Sequence, residues 1–287
     1  MTDTPMNEEN VKAPLTCDVC PHHCRIPADG YGRCRARRNN GEKIVCANYG
    51  KLTSIALDPI EKKPLACFHP GSMILSVGSY GCNLSCPFCQ NHEIAAARES
   101  DFHRLYDVTP EKLCTLAIQE KPSGNIGIAY TYNEALVGYE YVRDCAMLIH
   151  AAGMKNVLVT NGTAELHILE EIIPYIDAMN IDLKGFSDEI YEKLGGDFET
   201  VKNFITRSAK CCHVELTTLI VPGLNDSPED MRKEAEWIAD IDPSIPLHIT
   251  RYFPRYKMHE CATDIAVLKS LKDVASENLT RVFLGNV

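Results

Sequence analysis

The chain has no uninterrupted apolar run near twenty residues. That excludes a membrane-spanning helix, which needs about that length to cross the hydrocarbon layer. It also has no apolar stretch at its start. Met1 to Pro14 is polar and acidic, so no secretory signal is expected there; residues 1–14 are expected to form a short disordered lead. Basic charge is in deficit. Lys and Arg total 29 against 39 Asp and Glu, a formal net charge of −10. A surface of that sign argues against nonspecific nucleic-acid binding. One stretch departs from it: Arg25, Arg33, Arg35, Arg37, Arg38 and Lys43 read either as a solvated basic face or as a patch for an anionic partner. Core-forming material is not lacking. The 287 residues, 45% hydrophobic and 24% charged, suit one large domain or a domain with an appendage.

Cysteine is abundant, at 14 residues. Without a signal sequence the chain is expected in the cytoplasm. Thiols stay reduced there, and clustered cysteines bind metal or do chemistry instead of forming disulfides. Two groups are tight: Cys17, Cys20, Cys24 and Cys34, then Cys82, Cys86 and Cys89. The scattered remainder read mostly as small buried hydrophobes.

The triplet lies in the segment Gly78 to Asn91. Three thiolates at this spacing can hold three irons of a [4Fe–4S] cluster, which normally takes four cysteines. No fourth cysteine follows nearby, so one iron would stay open to a small molecule with an amine and a carboxylate. A zinc site completed by His92 is the plainer alternative. The first group can close a structural zinc site or hold an auxiliary iron–sulfur cluster, and donor softness does not separate the two. His22 or His23 could replace a cysteine there.

Periodicity organises the rest. Residues 15–70 form a Cys-, Pro-, Gly- and Arg-rich module in which Lys43 to Tyr49 and Leu52 to Leu57 are expected to pair as strands. From residue 71 strands and helices alternate. Strands are predicted at Met73–Val77, Ile126–Tyr130, Asn156–Thr160, Ala178–Leu183, His213–Val221, Pro246–Thr250 and Arg281–Leu284. Helices are predicted at Pro110–Glu120, Ala135–Ala151, Ala164–Ile173, Ser187–Leu194, Thr200–Ala209, Pro228–Asp240 and Thr263–Ser276. Thr109-Pro110 and Pro228 mark helix starts, and Gly153 marks a helix end. The alternation implies a parallel sheet. Its repeat count falls short of eight, so an open or partial barrel is expected. Polar residues gather after the predicted strands: the cysteine triplet, Thr131 to Glu134, Asn161-Gly162, Asp182 with Lys184, Gly223 to Asp226, and His248 with Arg251. Ligands collect at those carboxyl ends in such sheets.

Several stretches together carry a family resemblance. They are Cys17-x2-Cys20-x3-Cys24 with Cys34, Ile60 to Leu65, Gly81 to Asn91, Tyr130 to Glu134, Val159 to Gly162, Asn180 to Gly185, Glu215 to Asp226 and His248 to Pro254. The chain resembles the radical S-adenosylmethionine (radical SAM) superfamily and its pyruvate formate-lyase activating-enzyme branch. Most narrowly, it resembles the radical SAM member of the AmmeMemoRadiSam system. The resemblance implies an α/β fold, a partial (β/α)6 barrel over residues 71–287 behind the small Cys-rich metal-binding module. It implies a [4Fe–4S] cluster on Cys82, Cys86 and Cys89, with S-adenosylmethionine at the open iron. Phe88 would lie near the adenine, Glu134 at the methionine ammonium, Asn161 at the carboxylate or ribose, Asp182 and Lys184 at the carboxylate, and His248 at the ribose. Plainer readings stand beside these: a helix cap for Asn133-Glu134, a turn for Asn161, a buried ion pair for Asp182 and Lys184, and a satisfied core histidine for His248. Two features depart from the family pattern. The glycines of its Gly-Gly-Glu-like segment are absent here, and Thr217 stands where activating enzymes carry an arginine.

The implied activity is reductive cleavage of S-adenosylmethionine to methionine and a 5′-deoxyadenosyl radical. That radical takes hydrogen from a protein or a small molecule, and a glycyl-radical activase is one form. A one-electron donor such as flavodoxin or ferredoxin is implied, and a partner protein is a candidate substrate. The alternative from another class is a non-catalytic iron–sulfur or zinc protein serving electron transfer or binding.

Overall fold

A computed structural model describes residues 13–287. The expected amino-terminal lead falls almost wholly on residues 1–12, outside the described residues. Eight strands build the main sheet: β1 (Ser54–Pro59), β2 (Met73–Gly78), β3 (Asn125–Tyr130), β4 (Lys155–Thr160), β5 (Ala178–Asp182), β6 (His213–Ile220), β7 (Leu247–Arg251) and β8 (Val282–Gly285). They lie in sequence order from β1 at one edge to β8 at the other. Strands β2 to β8 run parallel, while β1 is antiparallel to β2. The two edges do not pair with each other, so the barrel is open on one side, as the repeat count implied.

Helices α1 (Pro110–Gln119), α2 (Tyr139–Ala151), α3 (Leu166–Ile172), α4 (Asp188–Leu194), α5 (Phe198–Ser208), α6 (Pro228–Ile241) and α7 (Ile265–Ala275) connect the parallel strands. Several start on a side-chain cap. Thr109, Asp197, Ser227 and Asp264 each accept a backbone N–H from the first turn that follows, satisfying donors that a helix start leaves free. One expected helix divides. Residues 135–151 form a 3-10 turn, Ala135–Gly138, before α2 begins. Gly138 sits so close to Asn48 that a Cβ would lie 2.6 Å from Asn48 Oδ1.

Strand β6 shows how the sheet divides its faces. Val214, Leu216 and Ile220 join the large apolar core under the helices. Glu215, Thr217 and Leu219 alternate with them and face the barrel interior, where Thr217 and Leu219 line its cavity. A period of two makes this division automatic. The interior carries polar groups where it opens into that cavity.

The expected strand pair at Lys43–Tyr49 and Leu52–Leu57 is not formed. Ile44–Cys46 pairs with Arg37–Asn39, and Lys51–Leu52 pairs with Tyr106–Asp107. Residues 54–59 instead leave the Cys-rich region and become the edge of the main sheet, where Ile55 and Leu57 pack against the large core. That burial outweighs a local pairing across the short turn at Gly50. The return segment then packs on the sheet, with Ile60, Leu65 and Phe68 in one apolar cluster with Ile74, Ala129, Val157 and Ala178.

Candidate active site

At the carboxyl ends of the strands lies a cavity of about 780 Å³. Cys82, Cys86 and Cys89 line it, with Phe88, Glu134, Asn161, Asp182, Lys184 and His248. Every residue singled out for cluster or S-adenosylmethionine contact thus reaches one space. His92 is not among the lining residues. Its ring stacks on Tyr256, with centroids 4.4 Å apart. Among the described residues no group of three or more His, Cys, Asp or Glu side chains converges closely enough to hold a single metal ion.

The cysteine loop is held from several sides. Asn133 Nδ2 donates to the carbonyls of Tyr80 (3.1 Å) and Gly81 (3.0 Å), while its Oδ1 accepts from Ser79 N (2.9 Å). Gly81 has φ +91° and packs on the Cys-rich region, where a Cβ would lie 2.5 Å from the Cys34 carbonyl. Asn161 Nδ2 donates to Asn83 Oδ1 (3.0 Å) and lies 3.7 Å from Cys82 Sγ. Leu84 N donates to the same sulfur at 3.4 Å. Burial pushes all three thiols up, Cys86 to about 11, and the nearby Glu134 carboxylate adds to the effect at Cys82. Bare thiolates are therefore costly here, and bound iron would offset that cost. Three thiols on one cavity, with N–H donors aimed at one sulfur, fit a cluster held by three cysteines.

Glu134 is buried and serves the backbone. Oε1 accepts from Leu136 N (3.0 Å) and Thr160 Oγ1 (2.7 Å), and Oε2 accepts from Asn161 N (2.8 Å). Burial raises its carboxyl above the ordinary range, against the pull of those donors. Asn161 is engaged with the cysteine loop and with Thr163 N (2.8 Å). Asp182 Oδ2 accepts from Lys184 Nζ at 2.6 Å. Burial alone would lower the Lys184 ammonium, but Asp182 and Cys86 hold it protonated well above the usual lysine range. Phe88 packs with Ile190, Leu194, Val221 and Tyr252.

His248 Nε2 donates to Glu215 Oε2 at 2.7 Å, and its ring stacks on Phe283. Glu215 is fully buried and accepts three further hydrogen bonds, from His213 Nε2 (2.9 Å), Ala66 N (2.9 Å) and Cys67 N (2.8 Å). Burial opposes its charge, yet these donors hold the carboxyl at about 2.

Sequence reasoning singled out neither Tyr132 nor Asn225 as an individual side chain. Tyr132 lines the cavity at φ +72°, the left-handed region. Its hydroxyl donates to Asp58 Oδ2 (2.7 Å), Lys63 Nζ lies 4.7 Å from its ring centroid, and its carbonyl accepts from Asn91 Nδ2 (2.8 Å). Asn225 Nδ2 donates to the carbonyls of Lys184 (3.0 Å) and Leu219 (2.8 Å), tying the ends of β5 and β6 together. The one available signal was their position just after strands.

The amino-terminal cysteines, expected to share a metal, share a small cavity without closing into a ligand set among the described residues. Cys17, Cys20, Cys24 and Cys34 line one small cavity with His22. His22 Nε2 is hydrogen-bonded to the Asn83 carbonyl at 2.9 Å. Arg37 donates to both Glu140 oxygens at 2.8 and 2.6 Å, pinning the module to α2.

Residues 76–238 match the family model described as the radical SAM superfamily. The chain belongs to that superfamily. A radical SAM assignment also agrees with its relatives. The chain is 36% identical over 277 residues to the uncharacterized protein MJ0808 of Methanocaldococcus jannaschii, covering 95% of this chain and 81% of that one. It is 26% identical over 171 residues to the pyruvate formate-lyase 1-activating enzyme of Escherichia coli K12, covering 56% of this chain and 66% of that enzyme. Streptococcus suis SuiB bound to S-adenosylmethionine shares the fold at TM-score 0.55 and 15% identity, over 72% of this chain and 48% of SuiB.

Proposed function

We propose that this radical SAM protein is an enzyme that cleaves S-adenosylmethionine reductively and uses the product radical on a substrate held in the barrel cavity. A reduced [4Fe–4S] cluster would supply one electron to the sulfonium, giving methionine and a 5′-deoxyadenosyl radical that abstracts hydrogen. The observation that carries the reading is the meeting of Cys82, Cys86 and Cys89 with Asp182, Lys184 and His248 on one cavity, while His92 is turned away onto Tyr256.

The residue roles follow from chemistry. The three thiols bind iron. Lys184, held cationic by Asp182, meets the methionine carboxylate. Glu134, at the cavity floor, shapes the turn beside the methionine ammonium. Asn161 fixes the cysteine loop at the carboxylate or ribose side. His248 donates Nε2–H to Glu215, so Nδ1 is left as an acceptor for a ribose hydroxyl. Phe88 lies against the adenine. The likeness to activating enzymes supports a polypeptide glycine as substrate, and an AmmeMemoRadiSam-type partner protein fits the same chemistry. The cytoplasm, a flavodoxin- or ferredoxin-like donor, and a zinc ion or auxiliary cluster around which Cys17, Cys20, Cys24 and Cys34 would have to draw together complete the reading.

Anaerobic reconstitution with iron and sulfide, then dithionite and S-adenosylmethionine, tests it. The expected product is 5′-deoxyadenosine, lost in Cys86→Ala. A reconstituted protein that binds no S-adenosylmethionine and forms no deoxyadenosine is instead an electron-transfer or binding protein.

A further inference from the structure

We infer that the turn Phe253 to Met258 is the docking surface for a small acidic one-electron carrier protein. The inference rests on the proposed function and adds the route by which the electron enters. The inner face of the cysteine loop looks into the cavity. Its outer face is covered by this turn, which is bonded to the loop at two points: Lys257 N donates to the Pro87 carbonyl at 2.9 Å, and Gln90 Nε2 donates to the Phe253 carbonyl at 3.3 Å. Tyr256 stacks on His92, three residues past Cys89, and Met258 and Cys86 each pack against the apolar cluster around Phe88. The turn is thus bonded directly to the loop that carries Cys86 and Cys89.

The turn is preformed. Arg255 and Met258 exchange both backbone hydrogen bonds, at 3.1 and 3.2 Å, and Tyr256 takes the left-handed conformation with φ +58°. Such rigidity holds the exposed Arg255 and Lys257 at its tip. Among the described residues neither forms an ion pair with a carboxylate; the Lys257 ammonium lies 5.0 Å from the Tyr256 ring centroid. The carboxylates nearest in sequence, Glu260 and Asp264, are exposed and accept from backbone amides instead, Glu260 from His259 N and Asp264 from Ala266 N. On a chain of net charge −10, an acidic partner is repelled by the average surface and attracted here. Contrast of that kind orients an encounter. The exposed Phe253 ring, with the Arg251 guanidinium 5.0 Å from its centroid, supplies the apolar contact beside the charges. On contact, the carrier's reduced cofactor gives up one electron and the cluster takes it; no proton or group moves.

The test uses the full chain with its cluster reconstituted, a purified acidic flavodoxin as probe, and the double variant Arg255→Glu/Lys257→Glu. Lys121→Glu, at the opposite end of the sheet, is the control. Carrier binding is measured by calorimetry at low and high salt, and cluster reduction by bleaching of its visible absorbance. In the double variant, binding and carrier-driven reduction should each fall by about tenfold or more at low salt, with a flattened salt dependence. Dithionite-driven reduction should stay as in the unsubstituted protein. Carrier binding and reduction within about twofold of the unsubstituted protein would overturn the surface assignment. So would an equal loss in the control. Failure of dithionite to support cleavage in the unsubstituted protein would sink the proposed chemistry instead, and the binding arm would still judge the surface.

Discussion

Two buried glutamates on and behind β6 have opposite relations to protons. Glu215 is held at about 2 by His213, His248 and two amides, against the cost of burial. The unfolded chain binds its proton from about 4.5 downward, while the folded chain resists until about 2. Its contribution, roughly 3 kcal/mol, is therefore complete above pH 4.5 and lost as pH falls toward 2. Glu234 on α6 is buried against Thr218, and burial raises its carboxyl to about 8. The unfolded chain ionises it from about 4.5, so stability is lost as pH rises from there to about 8. Denaturant unfolding of Glu215→Gln and Glu234→Gln across pH 4 to 8 should separate them. The first is expected to be destabilised by about 2–3 kcal/mol near neutrality. The second should gain about 1–3 kcal/mol at pH 8 and little at pH 4.5. Parallel profiles for both variants would contradict this account. Neither role was legible in advance: the strand pattern placed Glu215 on a face, but its partners Ala66 and Cys67 come from a segment far away in sequence.

At the scale of elements, the turn after β3 shows what local pattern conveys and what it leaves out. Strand, turn and helix were readable there from alternation and from Asn133-Glu134. The absence of glycine left open how the backbone could bend beside the site. The structure answers with Tyr132, a bulky residue in a conformation glycine prefers. Its hydroxyl is anchored on Asp58, which Lys63 and Tyr132 hold at about 2 despite burial. The anchor residues lie on β1 and its return segment, whose pairing was misassigned to the Cys-rich region, so the clamp could not be read from sequence. Tyr132→Phe keeps the ring and removes the anchor. It is expected to cost about 1 kcal/mol in urea unfolding. S-adenosylmethionine should bind severalfold more weakly by equilibrium dialysis, because a turn that lines the proposed binding cavity loosens. Unchanged affinity would show that the turn is held without Asp58.

Across the whole molecule, the parallel strands followed from strands alternating with helices; the cysteine triplet, Thr131 to Glu134, Asn161, Asp182, Lys184 and His248 line one cavity, whereas Gly223 to Asp226 and Arg251 are not among its lining residues. The relation between the Cys-rich region and the barrel did not follow, because its partners lie far apart in sequence, as Arg37 and Glu140 do. The Cys34 carbonyl sits on Gly81, and the Asn83 carbonyl meets His22. Gly81→Ala adds one methyl group at that seam and strains a left-handed backbone. The chain is expected to stay folded by circular dichroism, while reconstituted iron per chain falls by about half or more. Full iron content would show that the seam yields without disturbing the cysteine loop.

That seam also gives the cofactor's colour a second meaning. A protease nick between residues 20 and 35, or any agent that loosens those turns, acts on the backbone against which the loop of Cys82, Cys86 and Cys89 is built. Bleaching of a cluster on Cys82, Cys86 and Cys89 should then accompany damage at the amino-terminal end even in anaerobic solution, so its absorbance would report on the integrity of a segment outside that loop.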